Sequence, residues 1–304
     1  MTRPLKVGVQ LPEVEYVASW TQLREMARTA EAIGLNSVWL GDHLLYRWAD
    51  APSRGPWEAW TALTAIAAVT ERVQIGPLVA CTSFHNPAML AKKAATLDEI
   101  SGGRLILGLG AGWNETEYRA FGFPYDHRVS RFEEAFTIIR TLLRDGRCDF
   151  DGSYYQVRDC ELLPRGPRPE GPPLMVGSDG DRMLSITLPH VQAWNAWFAW
   201  FDNRLDRYRE LRDRIDGACR DAGRDPANVE RTAALFVAFP DAVGRSMGDR
   251  SAPETQPLPS EPAPLAAALR AFAGEGVGHV QLVLDPITAG SIARLEPALA
   301  LLDA

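Results

Sequence analysis

The sequence predicts an α/β protein, a (β/α)8 (TIM) barrel with insertions at the C-terminal face, and three observations carry that expectation. The chain has 304 residues, and eight β/α units need roughly 250 before insertions. Short runs rich in Val, Ile and Leu alternate with longer segments of helical period, the sequence form of repeated βαβ units. The first strand ends in Gln10-Leu11-Pro12-Glu13, not in the G-x-G-x-x-G that an open doubly wound sheet usually shows there.

Residues 5–11 read as the first strand, and the following helix over 19–33 stops at Gly34, a residue free to take the left-handed conformation of a C-cap. Residues 37–40 are the second strand, 57–70 the second helix and 73–81 the third strand. Pro87 opens a third helix over 87–100, because the N–H that proline lacks has no helical partner in a first turn. The fourth strand covers 104–109; an irregular stretch runs to Arg128, and an amphipathic helix spans 132–143. An excursion rich in Pro, Gly and Arg occupies 146–173, with a hairpin through 154–157. Residues 174–176 form the fifth strand and lead into a short helix through 184–186; the sixth strand lies within 190–197 and a helix follows over 205–222. After the seventh strand, 232–239, the segment 240–264 is polar, Pro-rich and without period, which reads as a mobile rim loop. Residues 264–273, 279–284 and 291–302 complete the eighth unit, so a single domain over 1–304 is expected, with 146–173 and 240–264 as rim insertions.

Composition narrows the function. Apolar residues make up 46% of the chain, enough for a large core, and a net charge of -7 with interspersed basic residues argues against a nucleic-acid surface. Cys81, Cys148, Cys160 and Cys219 are far apart and form no C-x-x-C, so neither a disulfide framework nor a zinc site is expected. The five histidines show no ligand spacing, and no metal is expected. No apolar run reaches 18 residues and no secretory signal precedes the first strand, so the reading is cytoplasmic, with no membrane partner.

Barrel chemistry sits at the C-terminal strand ends. The second strand ends in Asp42-His43, where an imidazole with a pKa near 6.5 can donate or accept a proton and Asp42 can orient it or bond a cofactor's polar edge. The plain alternative is that Asp42 caps a turn and His43 packs. At the fourth strand's exit, Gly108, Gly110 and Gly112 alternate before Trp113, either to let a flat ligand approach the backbone or simply to make a bulged exit. The fifth strand enters Gly177-Ser178-Asp179-Gly180, with Arg182 just beyond, and exposed amides at such a turn suit a cofactor phosphate if Asp179 and Asp181 point away. Trp194, Trp197, Phe198, Trp200 and Phe201 crowd the sixth strand's end and cannot all face inward. Trp48, Trp113, Trp194 and Trp197 are therefore the candidate substrate pocket, and the scarcity of clustered cations points to a small, apolar organic substrate. Trp57, Trp60, Leu63 and Ile66, set among alanines, leave the second helix little polar surface; a homodimer contact is expected, with a core role as the alternative.

Taken together, these motifs resemble the luciferase-like oxidoreductases, which use reduced flavin mononucleotide (FMN) or the deazaflavin coenzyme F420. The resemblance covers essentially the whole chain. It rests on residues 37–43 (SVWLGDH), Gly108-Leu109-Gly110-Ala111-Gly112-Trp113 with Glu117 and Phe121-Gly122, Arg131-Phe132-Glu133-Glu134, Pro173-Leu174-Met175-Val176-Gly177 and Trp194-Asn195. It implies a non-prolyl cis peptide at Leu78-Val79 bracing the cofactor ring, and a subunit contact on the second-helix side. Two departures stand out. Gly-Ser-Asp-Gly replaces a Gly-Gly pair after the fifth strand, and Trp113 stands where sugar-phosphate dehydrogenases of this type carry a glutamate, which speaks against a sugar phosphate. The expected function is hydride transfer between F420 and a small apolar organic substrate. The alternatives are an FMN-dependent monooxygenase served by a separate flavin reductase, and a cofactor-binding barrel without catalysis. The aromatic cluster and the long rim loop speak against the last.

Overall fold

The computed structural model describes residues 3–248 and 255–304. Strand β1 (Lys6–Gln10) is buried beyond its first residue, and α1 (Trp20–Ala32) opens on a capping box in which Ser19 and Gln22 exchange side-chain and backbone hydrogen bonds. Next come β2 (Ser37–Leu40) and α2 (Ala59–Val69), then β3 (Gln74–Pro77) and β4 (Ala80–Cys81), two halves of one strand separated by a cis peptide between Leu78 and Val79. Helix α3 (Pro87–Ile100) has Asn86 as its N-cap and Pro87 in its first turn. Strand β5 (Leu107–Gly110) leads to α4 (Glu115–Phe121) and α5 (Arg128–Asp145), and a hairpin of β6 (Arg147–Asp151) and β7 (Gln156–Glu161) follows. Then come β8 (Leu174–Val176), α6 (Asp181–Thr187), β9 (Ala193–Ala196), α7 (Leu205–Asp221) and β10 (Glu230–Ala238). The chain closes with α8 (Pro262–Gly274), β11 (Val277–Asp285), α9 (Ala289–Ala293) and α10 (Glu296–Asp303).

The main sheet is parallel throughout, in the order β3-β2-β1-β11-β10-β9-β8-β5-β4. A parallel bridge between Ile75 and Leu105, with Ile106 N–H donating to Ile75 O at 2.9 Å, joins the two ends and closes the barrel. Its interior carries paired polar groups among the aliphatic ones. Ser37 Oγ lies 2.6 Å from His279 Nε2 and accepts from Trp39 Nε1, while Asn195 Nδ2 donates to Thr232 Oγ1 and Gln281 Oε1. Burial pushes the pKa of His279 down to about 3, so this imidazole is neutral and serves as a hydrogen-bonding strut.

Four features differ from the sequence reading. The irregular stretch before Arg128 contains α4, too short for a helical period to show, ended by Gly122 at φ +77°. The 146–173 segment does not stay on the rim: its hairpin lies along α5, and its tip is held by Glu134, whose carboxylate accepts from the backbone of Ser153, Tyr154 and Tyr155. That hairpin sets Cys148 directly opposite Cys160, although the two are far apart in sequence. The described parts of the 240–264 loop are fastened: Val243 and Gly244 donate to Asp285, Leu258 donates to Phe236 O, and Arg245 pairs with Glu15. Residues 249–254 of that loop lie outside the described residues. Among the described residues, no helix is long and apolar enough to cross a membrane.

Candidate active site

A cleft of about 740 Å³ opens where all eight barrel strands end. Of the residues expected at the site, Asp42, His43, Leu78, Val79, Gly110, Gly112, Trp113, Gly177, Ser178, Asp179 and Trp197 line it. Gly108, Gly180, Arg182, Trp48 and Trp194 do not, each for a local reason. Trp194 is fully buried, and its Nε1 donates to Ser178 O at 2.7 Å, bracing the β8 exit from behind. Trp48 donates to Ser246 Oγ and stacks under the Arg54 guanidinium, so it ties down the rim. Arg182 is exposed and paired with Glu133, turned away from the cleft, and Asp181 is paired with Arg214. Gly180 donates its N–H to Ser178 Oγ and closes the loop on itself.

The glycine-rich exit is explained mainly by packing within the protein. A Cβ on Gly108 would stand 2.3 Å from Pro77 O, one on Gly110 2.8 Å from Val79 Cγ2, and one on Gly112 2.2 Å from the Tyr118 hydroxyl. Gly177 is similar, its Cβ position lying 3.1 Å from Val79 Cγ1. Gly108, Gly110 and Gly177 therefore make room for Val79, whereas Gly112 makes room for Tyr118 and Cys81, and the cleft wall here is the Val79 side chain with bare backbone at Gly110 and Gly177.

The cleft lining also carries charge. Asp42 does not bond His43; its Oδ2 accepts from Cys81 N–H and lies 2.9 Å from His85 Nε2, so it fixes the β4 exit and acts on His43 by charge alone. The partners of His43 are two glutamates. Its Nδ1 lies 2.9 Å from Glu117 Oε2 and its Nε2 lies 3.6 Å from Glu13 Oε1. Burial would disfavour the imidazolium, but Glu13, then Glu117 and Asp42, outweigh it and push the His43 pKa up to about 9. At neutral pH the ring is thus cationic and a donor, whereas an ordinary imidazole would be mostly neutral. Glu117 is itself clamped by the backbone amides of Leu44 and Leu45, which gives α4 its purpose: it delivers this carboxylate beneath the β2 exit. Glu13 accepts from the Tyr46 hydroxyl and from Gln10 Nε2. Burial, followed by Glu13 and Glu117, raises the Tyr46 pKa well above its usual value, so the phenol stays a neutral donor.

Beyond Glu13 sits Arg245, from the segment after β10, its side chain 6% exposed. Its Nε donates to Glu15 Oε1 at 2.7 Å and its guanidinium lies 5.5 Å from the Trp197 ring centroid. Sequence reasoning missed Glu13, Tyr46 and Arg245 as site residues and took Glu117 only as part of a motif. Glu13 was findable, since it stands just past the end of the first strand. Arg245 carried no signal in an aperiodic loop.

A closed barrel carries a deep cleft at its strand ends, with a glycine-backed wall and a buried cluster of one imidazole and three carboxylates. A profile of the luciferase-like monooxygenase family matches residues 5–242, and the chain belongs to that family. It is 31% identical over 249 residues to an F420-dependent glucose-6-phosphate dehydrogenase of Kineococcus radiotolerans, covering 78% of this chain and 69% of that protein. To a 5,10-methylenetetrahydromethanopterin reductase of Archaeoglobus fulgidus it is 28% identical, over 77% of this chain and 70% of that protein. To a pyrimidine monooxygenase of Cronobacter sakazakii it is 33% identical over 60% of this chain, spanning about half (53%) of that protein. Among solved structures, an F420-dependent secondary alcohol dehydrogenase with an F420-acetone adduct superposes with a TM-score of 0.81 at 20% identity over 100% of both chains, a likeness of fold. The chain is accordingly an enzyme of the luciferase-like type.

Proposed function

We propose that this enzyme transfers a hydride between F420 and a small organic substrate, with His43 handling the accompanying proton. The observation that carries this reading is the His43 ring, held between Glu117 and Glu13 in the same cleft that the Val79 wall lines. Bare backbone at Gly110 and Gly177 lets a planar ring approach this wall, where a side chain would collide with Val79. When bound there, the deazaflavin supplies the carbon that gives or takes the hydride. Moving a hydride to a carbonyl carbon leaves its oxygen as an alkoxide, which a protonated His43 can balance by giving its Nε2 proton; in the reverse direction the neutral ring takes that proton back. Glu117 fixes the ring through Nδ1 and so leaves Nε2 as the atom directed to substrate. Trp113, Trp197, Phe198 and Phe236 supply an apolar lining.

One relative named for F420 matches 78% of the chain and a second, of Amycolatopsis mediterranei, matches 58%, which supports the deazaflavin over FMN. The pyrimidine monooxygenase relative keeps an FMN-dependent oxygenase, served by a separate flavin reductase, as the second reading. Fluorescence titration of the purified protein with F420 and with FMN tests the choice. Saturable binding of F420 at lower concentration than FMN is expected; tight binding of reduced FMN alone, with oxygen consumption, would replace the proposal with the second reading.

A further inference from the structure

Among the described residues lining the cleft, Arg245 is the one arginine or lysine. Two of its three nitrogens are engaged: Nε donates to Glu15, and Nη1 lies 3.0 Å from Met247 Sδ. Its Nη2 is buried and, among the described residues, has no hydrogen-bond partner; Glu13 Oε2 lies 3.8 Å from it. The Thr255 hydroxyl, also in the cleft lining and from the same connection between β10 and α8, is likewise buried without a partner among the described residues. An unsatisfied buried N–H on a charged group is costly, and such a group sharing a cleft lining with an unpartnered hydroxyl is what a site shows when its ligand provides the missing acceptor.

The charge around them decides what kind of acceptor fits. Glu13, Glu117, Asp42 and Asp285 line the cleft, and Glu15 pairs with Arg245 behind it, against the charges of Arg245 and the His43 imidazolium. Arg245 is therefore already neutralised by Glu15. A substrate carboxylate or phosphate would sit beside Glu13 and be repelled by it. A neutral oxygen could accept from Nη2 without that penalty.

We propose that Arg245 Nη2 and the Thr255 hydroxyl form a substrate subsite that takes a neutral carbonyl oxygen carried on an otherwise apolar, preferably aromatic, body. The body lies in the part of the cleft lining that includes Trp197 and Phe236, and this carbonyl is a recognition group, distinct from the oxygen whose charge His43 balances. This rests on the reading of the cleft as a substrate pocket and narrows it to one substrate class.

The test uses three probes on the purified full chain, followed by saturation-transfer NMR titration: acetophenone, ethylbenzene, which lacks the oxygen, and benzoate, which carries a charge. Acetophenone is expected to saturate at about tenfold lower concentration than either of the others, the size of one hydrogen bond to a charged donor. Arg245→Lys keeps the charge beside Glu15 but loses the second arm of the fork, and should erase that preference with little change in Tm. Thr255→Val leaves the ion pair untouched, should weaken acetophenone severalfold, and decides the matter if the lysine variant fails to fold. Equal binding of acetophenone and ethylbenzene, no saturable acetophenone binding, tighter binding of benzoate, or an acetophenone preference intact in the folded variants would overturn the proposal. F420 titration in parallel separates the two readings: if F420 fails to bind while the acetophenone preference holds, the cofactor assignment falls and the subsite stands.

Discussion

At the scale of single residues, the site is governed by one imidazole and the carboxylates around it. On the proposed hydride transfer with F420, His43→Ala removes the proton donor while leaving the Val79 wall intact. Turnover should fall about 10²–10⁴-fold, with F420 affinity changing much less, as measured by steady-state kinetics beside a binding titration. The raised pKa makes a second outcome specific. In the direction that needs the imidazolium, the rate should hold through neutral pH and fall as pH passes about 9; a fall centred near 6.5 would mean that Glu13 and Glu117 do not act on the ring as described. The same shift bears on stability. A group whose folded pKa lies above its unfolded value stabilises the fold fully below 6.5, and this stabilisation is lost as pH rises toward about 9. Glu117→Gln keeps the shape but not the charge. It should narrow that window and move the His43 titration, followed by the ring-proton NMR shifts, to lower pH.

At the scale of elements, two arrangements create contacts that adjacent residues do not announce. The β5 and β8 exits depend on glycines that make room for Val79. Gly177→Val would push its Cβ to about 3.1 Å from Val79 Cγ1 and force Val79 into the cleft. We expect overpacking of about 1–3 kcal/mol and a correspondingly large loss of F420 affinity, read by thermal melting and titration; unchanged affinity in a folded variant would show that this wall does not hold the ring. The β6–β7 hairpin brings two thiols together. Directly opposed antiparallel residues have Cα atoms about 4.5–5.5 Å apart, within the range a disulfide spans. Cys148 is buried and Cys160 partly exposed. Diamide, taking two electrons and two protons from the pair, should close a disulfide between them, seen as a loss of two hydrogens by mass spectrometry and a linked peptide. Modification of Cys160 alone would show that the sulfurs cannot meet.

At the scale of the whole molecule, the expected homodimer remains a proposal, and its basis shifts. Trp60, Leu63 and Ile66, which suggested a sticky face on α2, are turned inward and buried in the barrel wall. What remains outside is Trp57, 60% exposed with its Nε1 tied to Ala18 O, alongside Val17 and Trp20 at the start of α1. Apolar side chains exposed together in this way suit a second copy of the chain. Light scattering at micromolar concentration should give twice the monomer mass, and Trp57→Lys should shift it toward the monomer; a monomeric wild type would end this proposal.

The sequence by itself determined the barrel, because its signals are local: apolar runs at strand spacing, caps at Ser19, Asn86 and Gly34, and Pro87 in a first turn act within a few residues of themselves. It also placed Asp42 and His43 at the right strand end, since strand ends are where a barrel gathers its polar groups. Only the tertiary structure decided what those groups touch. Asp42 serves Cys81 and His85, while His43 is claimed by Glu13 from another strand and by Glu117 from a seven-residue helix with no readable period. Trp194 and Trp197 show the same division. Three residues apart and alike in chemistry, one is sealed behind the β8 exit and the other faces the cleft, because the short β9 ends between them and the backbone turns. Such pairings join residues distant along the chain through packing of the closed barrel, and no local pattern encodes a contact that exists only once the barrel has closed.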